Sequence, residues 1–141
     1  DRIEVALAVE ADGIHIGQQD TPLEDARRLV GERMFIGVSV ESVDDAIRAE
    51  AGGADYLGVS PVFTTPTKTD TAPALGLEGL RSIREAVSLP LVAIGGIRAS
   101  NAAAVLANGA DGLAVVSAIL SAAYPAQAAR DLKAVFASPG Q

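Results

Sequence analysis

The chain has 141 residues, about half of them hydrophobic, and a net charge of −7 from 11 Lys and Arg against 18 Asp and Glu. That balance excludes an extended nucleic-acid or anionic-membrane surface, since both need clustered positive charge. Cysteine is absent, which removes disulfides, thiolate metal sites and thiol nucleophiles and fits a cytoplasmic protein. No apolar run reaches membrane-span length, and no basic-then-apolar segment opens the chain.

In chain order, apolar runs alternate with amphipathic stretches. Helical periodicity covers residues 3–10, followed by the run 13–17 (GIHIG). A second helix is predicted over 22–30, with Pro22 at its first position. The run 34–40 (MFIGVSV) precedes a helix over 43–51, whose first turn Ser42 caps and Asp44 and Asp45 stabilise. Then come the run 56–63 (YLGVSPVF) and a helix over 77–87. The run 89–97 (LPLVAIGGI) leads to a helix over 101–107 with Ser100 as cap, and 112–119 (GLAVVSAI) leads to a helix over 125–136. Gly52-Gly53 and Asn108-Gly109 supply left-handed helix stops.

The runs are Val-, Ile- and Leu-rich without polar alternation, as in parallel strands covered on both faces. An Ala-Asp pair recurs before three of them, at Ala11-Asp12, Ala54-Asp55 and Ala110-Asp111. Such an echo is what repeated βα modules produce. The expected fold is therefore α/β: the C-terminal part of a TIM (β/α)8 barrel, with about five parallel strands and flanking helices in one domain over 1–141. A whole barrel needs roughly 200 residues or more, so this reading has the first strands missing. It also leaves open sheet edges through which copies would associate as a homo-oligomer. An open doubly wound sheet is the rival architecture, although no G-x-G-x-x-G fingerprint supports its dinucleotide-binding form.

Barrel chemistry sits where strands end. His15 lies inside the first run and Asp20 follows it; His15 reads as a core or lumen residue or as a ligand contact, and Asp20 as a helix cap or a ligand. Ser39 ends the second run, with no histidine after it to make it a nucleophile, and reads as a hydrogen-bonding group. The third run opens onto a long loop, 64–76, where Thr65, Pro66, Thr67 and Lys68 offer hydroxyls, ordered N–H groups and one cation suited to a diphosphate. Toward the ends of the fourth and fifth runs, Gly95-Gly96 and Val116-Ser117 present backbone N–H groups at the usual phosphate position of this architecture. Two anion sites point to small-molecule phosphorylated substrates.

Together these stretches resemble the thiamine phosphate synthase family over nearly the whole chain. The resemblance rests on Asp1-Arg2, Gly13-x-His15-x-Gly17-Gln18-x-Asp20, Gly37-Val38-Ser39 and Gly58-x-x-Pro61-Val62-Phe63-x-Thr65-Pro66-Thr67-Lys68. It continues through Ala93-Ile94-Gly95-Gly96-Ile97 and Gly109-Ala110-Asp111-Gly112-x-Ala114-Val115-Val116-Ser117-Ala118-Ile119. It implies a transferase that joins hydroxymethylpyrimidine diphosphate to thiazole phosphate, giving thiamine phosphate and diphosphate. Asp1 and Asp20 would hold Mg²⁺, and Lys68 the leaving diphosphate. His15 and Ser39 would meet the pyrimidine; Thr65, Pro66, Thr67, Gly96, Val116 and Ser117 would hold the thiazole phosphate. The alternatives are a thiazole tautomerase-like relative and an inactive phosphate-binding or assembly fragment.

Overall fold

A computed structural model describes residues 2–64 and 73–137. The predicted site residues Asp1, Thr65, Pro66, Thr67 and Lys68 lie outside the described residues. Elements follow in the order α1 (Ile3–Ala8), β1 (Gly13–Ile16), α2 (Leu23–Val30), a 3₁₀ turn (Gly31–Arg33), β2 (Phe35–Val40), α3 (Val43–Ala51) and β3 (Tyr56–Val59). They continue with α4 (Gly76–Ala86), β4 (Leu91–Ile94), α5 (Ala99–Ala107), β5 (Gly112–Ala114), α6 (Ser117–Leu120) and α7 (Pro125–Phe136).

Every strand pair is parallel and the spatial order is β1-β2-β3-β4-β5, the same as the chain order. Right-handed crossovers in an unreversed order place all connecting helices on one face. A doubly wound sheet reverses its order at a switch point, so the rival architecture is excluded. The sheet is that of five consecutive βα units of a (β/α) barrel.

One correction concerns the strand faces. Ile14, Ile16, Ile36, Val38, Val40, Leu57, Val59, Leu91 and Ala93 are buried under the helices, where Ala26, Ala46, Leu80, Ile83, Ala102 and Val105 meet them. The alternate positions His15, Ser39, Tyr56, Val92 and Ile94 are only half-buried on the opposite face, and Phe35 there is 64% exposed. Polar alternation is weak in the sequence because that second face carries glycines and aliphatic residues as well as polar side chains.

Three further boundaries differ from expectation. The run 112–119 is a short strand ending at Ala114 and then the helical turn of α6, because an apolar alphabet serves buried strands and helices alike. Helix α5 starts at Ala99, so Ser100 lies within its first turn and does not cap it. The terminus is closed by Asn101, whose Oδ1 accepts from Arg98 N–H at 2.9 Å and whose Nδ2 donates to the Gly96 carbonyl at 3.0 Å. Pro22 precedes α2 with an extended backbone instead of occupying its first helical position. Ser42 does cap α3, its hydroxyl accepting from Asp45 N–H at 3.1 Å.

The Ala-Asp echo has a structural meaning. Asp55 Oδ2 accepts from Ile36 N–H at 2.8 Å and from the Arg27 guanidinium at 2.6 Å. Asp111 Oδ2 accepts from Leu91 N–H at 2.8 Å and from Arg84 at 3.2 Å. In both, a carboxylate just before a strand bonds the first turn of the preceding strand and an arginine of the helix before that one. Asp12 works differently: its carbonyl accepts from Phe35 N–H at 3.0 Å. These clamps tie the strand-start end of the sheet, the face of a barrel associated with stability.

Candidate active site

Toward the opposite rim, the ends of β1 and β2 and the first residue of β3 bring three polar side chains together on the helix-free face. Register sets this up: His15 pairs with Gly37, and Gly37 pairs with Tyr56. Two aromatic rings therefore flank one glycine. A Cβ at Gly37 would stand 2.1 Å from Tyr56 Cζ, and one at Gly58 would stand 2.9 Å from His15 Cε1. The missing side chains give the rings the space in which they meet, with centroids 5.5 Å apart.

His15 Nδ1 lies 3.0 Å from Tyr56 Oη, and His15 Nε2 lies 2.9 Å from Ser39 Oγ. The predicted contacts His15 and Ser39 are thus neighbours. No histidine follows Ser39 in the chain, but His15 reaches it from upstream across the sheet. Tyr56 was read only as part of a strand. Its role depends on inter-strand register, which local sequence does not carry. Burial draws the His15 imidazole below its ordinary value of 6.5, with Asp20 opposing, and raises the Tyr56 phenol above 10.0. Both groups are therefore neutral near pH 7.

The β1–α2 loop adds Gln18, whose side-chain amide donates to the Ser39 carbonyl. Asp20 is exposed at this rim, and its Oδ2 accepts from Gly17 N–H at 2.7 Å, closing the loop on itself. Asp20 thus neither caps α2 nor is engaged by an arginine or lysine in any ion pair among the described residues. A cleft of about 240 Å³ opens beside Asp20, lined also by Gln18, Thr21, Leu23, Asp45 and Arg48. It lies on the helix side of the sheet, away from His15 and Ser39. The polar cluster marks the candidate site better than the cleft does, since it lies on the helix-free face, which a barrel turns inward.

The remaining described residues among those predicted follow β4 and β5. Gly95 and Gly96 have φ of 99° and 63°, and added Cβ atoms would meet Pro61 Cβ at 2.9 Å and Phe63 Cβ at 2.7 Å. Their close approach is to the protein's own backbone: Val62 N–H donates to Ile94 O at 2.8 Å and Phe63 N–H to Gly95 O at 3.1 Å. The start of the β3–α4 connection, at Val62 and Phe63, is thereby fastened to the end of β4. Val116 and Ser117 are exposed at the start of α6, next along the rim.

Among the described residues, no group of three or more His, Cys, Asp or Glu is gathered as for a metal ion. No described helix is long and apolar enough to cross a membrane.

The family model described as thiamine monophosphate synthase matches residues 1–119. The chain belongs to the thiamine monophosphate synthase family. Within that family it is 55% identical over 135 residues to the thiamine-phosphate synthase of Chloroflexus aurantiacus, covering 96% of this chain and 62% of that protein. It is 58% identical over 133 residues to the thiamine-phosphate synthase of Albidiferax ferrireducens, covering 94% of this chain and 61% of that protein. The solved thiamine phosphate pyrophosphorylase from Pyrococcus furiosus superposes with a TM-score of 0.87 at 47% identity, over 96% of this chain and 64% of that one. The chain thus spans about three-fifths of the length of these relatives.

Proposed function

We propose that this chain carries the greater part of a thiamine phosphate synthase site, joining hydroxymethylpyrimidine diphosphate to thiazole phosphate. In the reaction, the bond from the pyrimidine methylene carbon to the diphosphate oxygen breaks, with both electrons leaving on diphosphate. The thiazole nitrogen then bonds to that carbon, giving thiamine phosphate. The observation that carries the reading is the His15–Ser39–Tyr56 cluster on the helix-free face of a chain whose family match includes all three residues.

Ser39 and His15 would hold the pyrimidine ring, their hydrogen-bonding groups facing the convergent side of the sheet. Gly96, Val116 and Ser117 would receive the thiazole phosphate at the ends of β4 and β5, the usual phosphate position in barrels. Thr65, Pro66 and Thr67 would extend that cradle, and Lys68 would neutralise charge on the departing diphosphate. Asp20 suits Mg²⁺: it is an exposed hard-oxygen donor at the rim, with no basic side chain in an ion pair with it among the described residues. Asp1 would be the second carboxylate. When bound, the ion supplies Lewis-acid stabilisation of the leaving diphosphate. The partners are small phosphorylated molecules, without nucleic acid or membrane.

The test is product formation from the two substrates with Mg²⁺ present, followed as released diphosphate and as thiamine phosphate. Both products in equal amounts are expected. Binding of thiazole phosphate by calorimetry, with no diphosphate release, would overturn the synthase reading for this chain and leave a phosphate-binding module.

A further inference from the structure

The Ser39–His15 contact at 2.9 Å admits two proton arrangements with opposite chemistry. If the hydroxyl gives its proton to Nε2, the pair resembles an activated nucleophile and its base. If Nε2–H donates to the hydroxyl oxygen, the serine keeps its own proton for a ligand. A neutral imidazole carries one ring proton, and the hydrogen bond at one nitrogen sets the state of the other.

The bond at Nδ1 therefore decides, and its partner is Tyr56 Oη at 3.0 Å. A phenol, with a pKa near 10, is a stronger donor and a poorer acceptor than an aliphatic hydroxyl. Imidazole nitrogen is the best neutral acceptor present. The favourable pairing has Tyr56 O–H donating to Nδ1, which puts the ring proton on Nε2 and makes Ser39 Oγ its acceptor. We propose that Tyr56 is a positioning residue that fixes His15 as the Nε2–H tautomer and so commits the Ser39 hydroxyl to donate to an acceptor ring nitrogen of a heteroaromatic ligand. The identity of that ligand rests on the proposed function; the tautomer does not.

Two independent features show the arrangement to be built into the sheet. Glycine occupies position 37, where a Cβ would collide with the Tyr56 ring, and position 58, where one would crowd His15. Burial shifts both titrating groups toward their neutral forms, in which this relay can operate. Tyr56 touches no reacting atom in this scheme and acts only through His15.

His15 is the one histidine in the chain, so ¹⁵N-labelled histidine reports on it alone. In the ligand-free protein, above the His15 titration, long-range ¹H–¹⁵N correlation should show Nε2 protonated and Nδ1 bare. Tyr56→Phe should move the tautomer ratio toward Nδ1–H by about tenfold, the equivalent of about 1.4 kcal/mol. A wild-type spectrum with Nδ1 protonated overturns the proposal and needs no variant to fold; an unchanged ratio in folded Tyr56→Phe does so too. Labelling of Ser39 by a fluorophosphonate would also overturn it, since that reaction needs the other proton arrangement. With hydroxymethylpyrimidine as probe, Ser39→Ala should weaken binding about tenfold, and equal affinity would remove the donor assignment. The tautomer is read without substrate, so its failure leaves the synthase reading standing. Absent turnover with the expected tautomer would overturn only the synthase reading.

Discussion

Where β2 passes between His15 and Tyr56, a single hydrogen atom at Gly37 lets a phenol ring cross the strand. A methyl group there would stand 2.1 Å from Cζ and 2.4 Å from Oη. The colliding atoms are the far end of a movable side chain, so Gly37→Ala should fold but swing Tyr56 off His15. Its histidine tautomer spectrum should then match that of Tyr56→Phe, and a wild-type spectrum would show that the ring is held by something else. His15 also gives stability a pH dependence. Burial disfavours its charged form, so its folded pKa lies below the ordinary 6.5. The unfolded chain then binds more protons in the window between the two values, and stability rises with pH across it. The contribution is complete above 6.5 and is lost as pH falls through the folded value. Denaturant melts of wild type minus His15→Asn should show this slope below pH 6.5 and none above. At this scale the sequence reveals that His15 and Ser39 lie near strand ends and that Asp20 follows one, because residue type and order suffice for that. It does not reveal that His15 serves Ser39 or that Tyr56 completes the cluster, because those facts belong to register.

The recurring Ala-Asp pair shows how one element grips its neighbours. Asp55 accepts a strand N–H and the Arg27 guanidinium together. Partial burial opposes its ionisation, but these hydrogen bonds outweigh it and hold the carboxyl below the ordinary 3.8. The resulting stability is present above 3.8 and lost as pH falls through the folded value. Arg27 also donates to Met34 O and Gly53 O, each at 2.9 Å, so the cluster joins α2, β2 and the turn before β3. Asp55→Ala should cost about 1–3 kcal/mol, because it leaves Ile36 N–H and a half-buried guanidinium short of an acceptor. Asp111→Ala should cost less, since the Asp111 side chain is 60% exposed against 38% for Asp55, and solvent screens the exposed pair. Urea melts of the two variants would check the ranking, and a reversed order would remove the burial argument. The echo itself was visible in the sequence as a spacing. Its function as a clamp was not, since the acceptor and its donors are 19 to 28 residues apart. Strand ends were also misread wherever an apolar run continued past the last ladder bond, as at Gly95-Gly96 and at Val115 to Ile119.

At the scale of the whole molecule, the unreversed strand order spreads the proposed site along one rim. Asp20 follows β1, whereas Gly96 and Ser117 follow β4 and β5. With strands about 4.8 Å apart, β1 and β4 are separated by three spacings, roughly 14 Å along the sheet. Val62 and Phe63, just after β3, are fastened to the end of β4. Parallel pairing was legible from the alternation of runs and helices because parallel neighbours need a crossover; the unreversed order was not, since a doubly wound sheet alternates in the same way. The division of labour along the rim follows from that order. Residues that far apart with no common partner act nearly independently, their free energies adding to within about 0.5 kcal/mol. Asp20→Asn should therefore weaken Mg²⁺-dependent diphosphate binding while leaving thiazole phosphate binding within about twofold. Ser117→Ala should do the reverse, and the double variant should show both losses without enhancement. Calorimetry of each ligand alone against the four proteins reads all the terms of this cycle. A coupling above about 1 kcal/mol would mean that the two anion sites share a group or a moving loop. The single rim divided into two halves would then have to be replaced by one merged site.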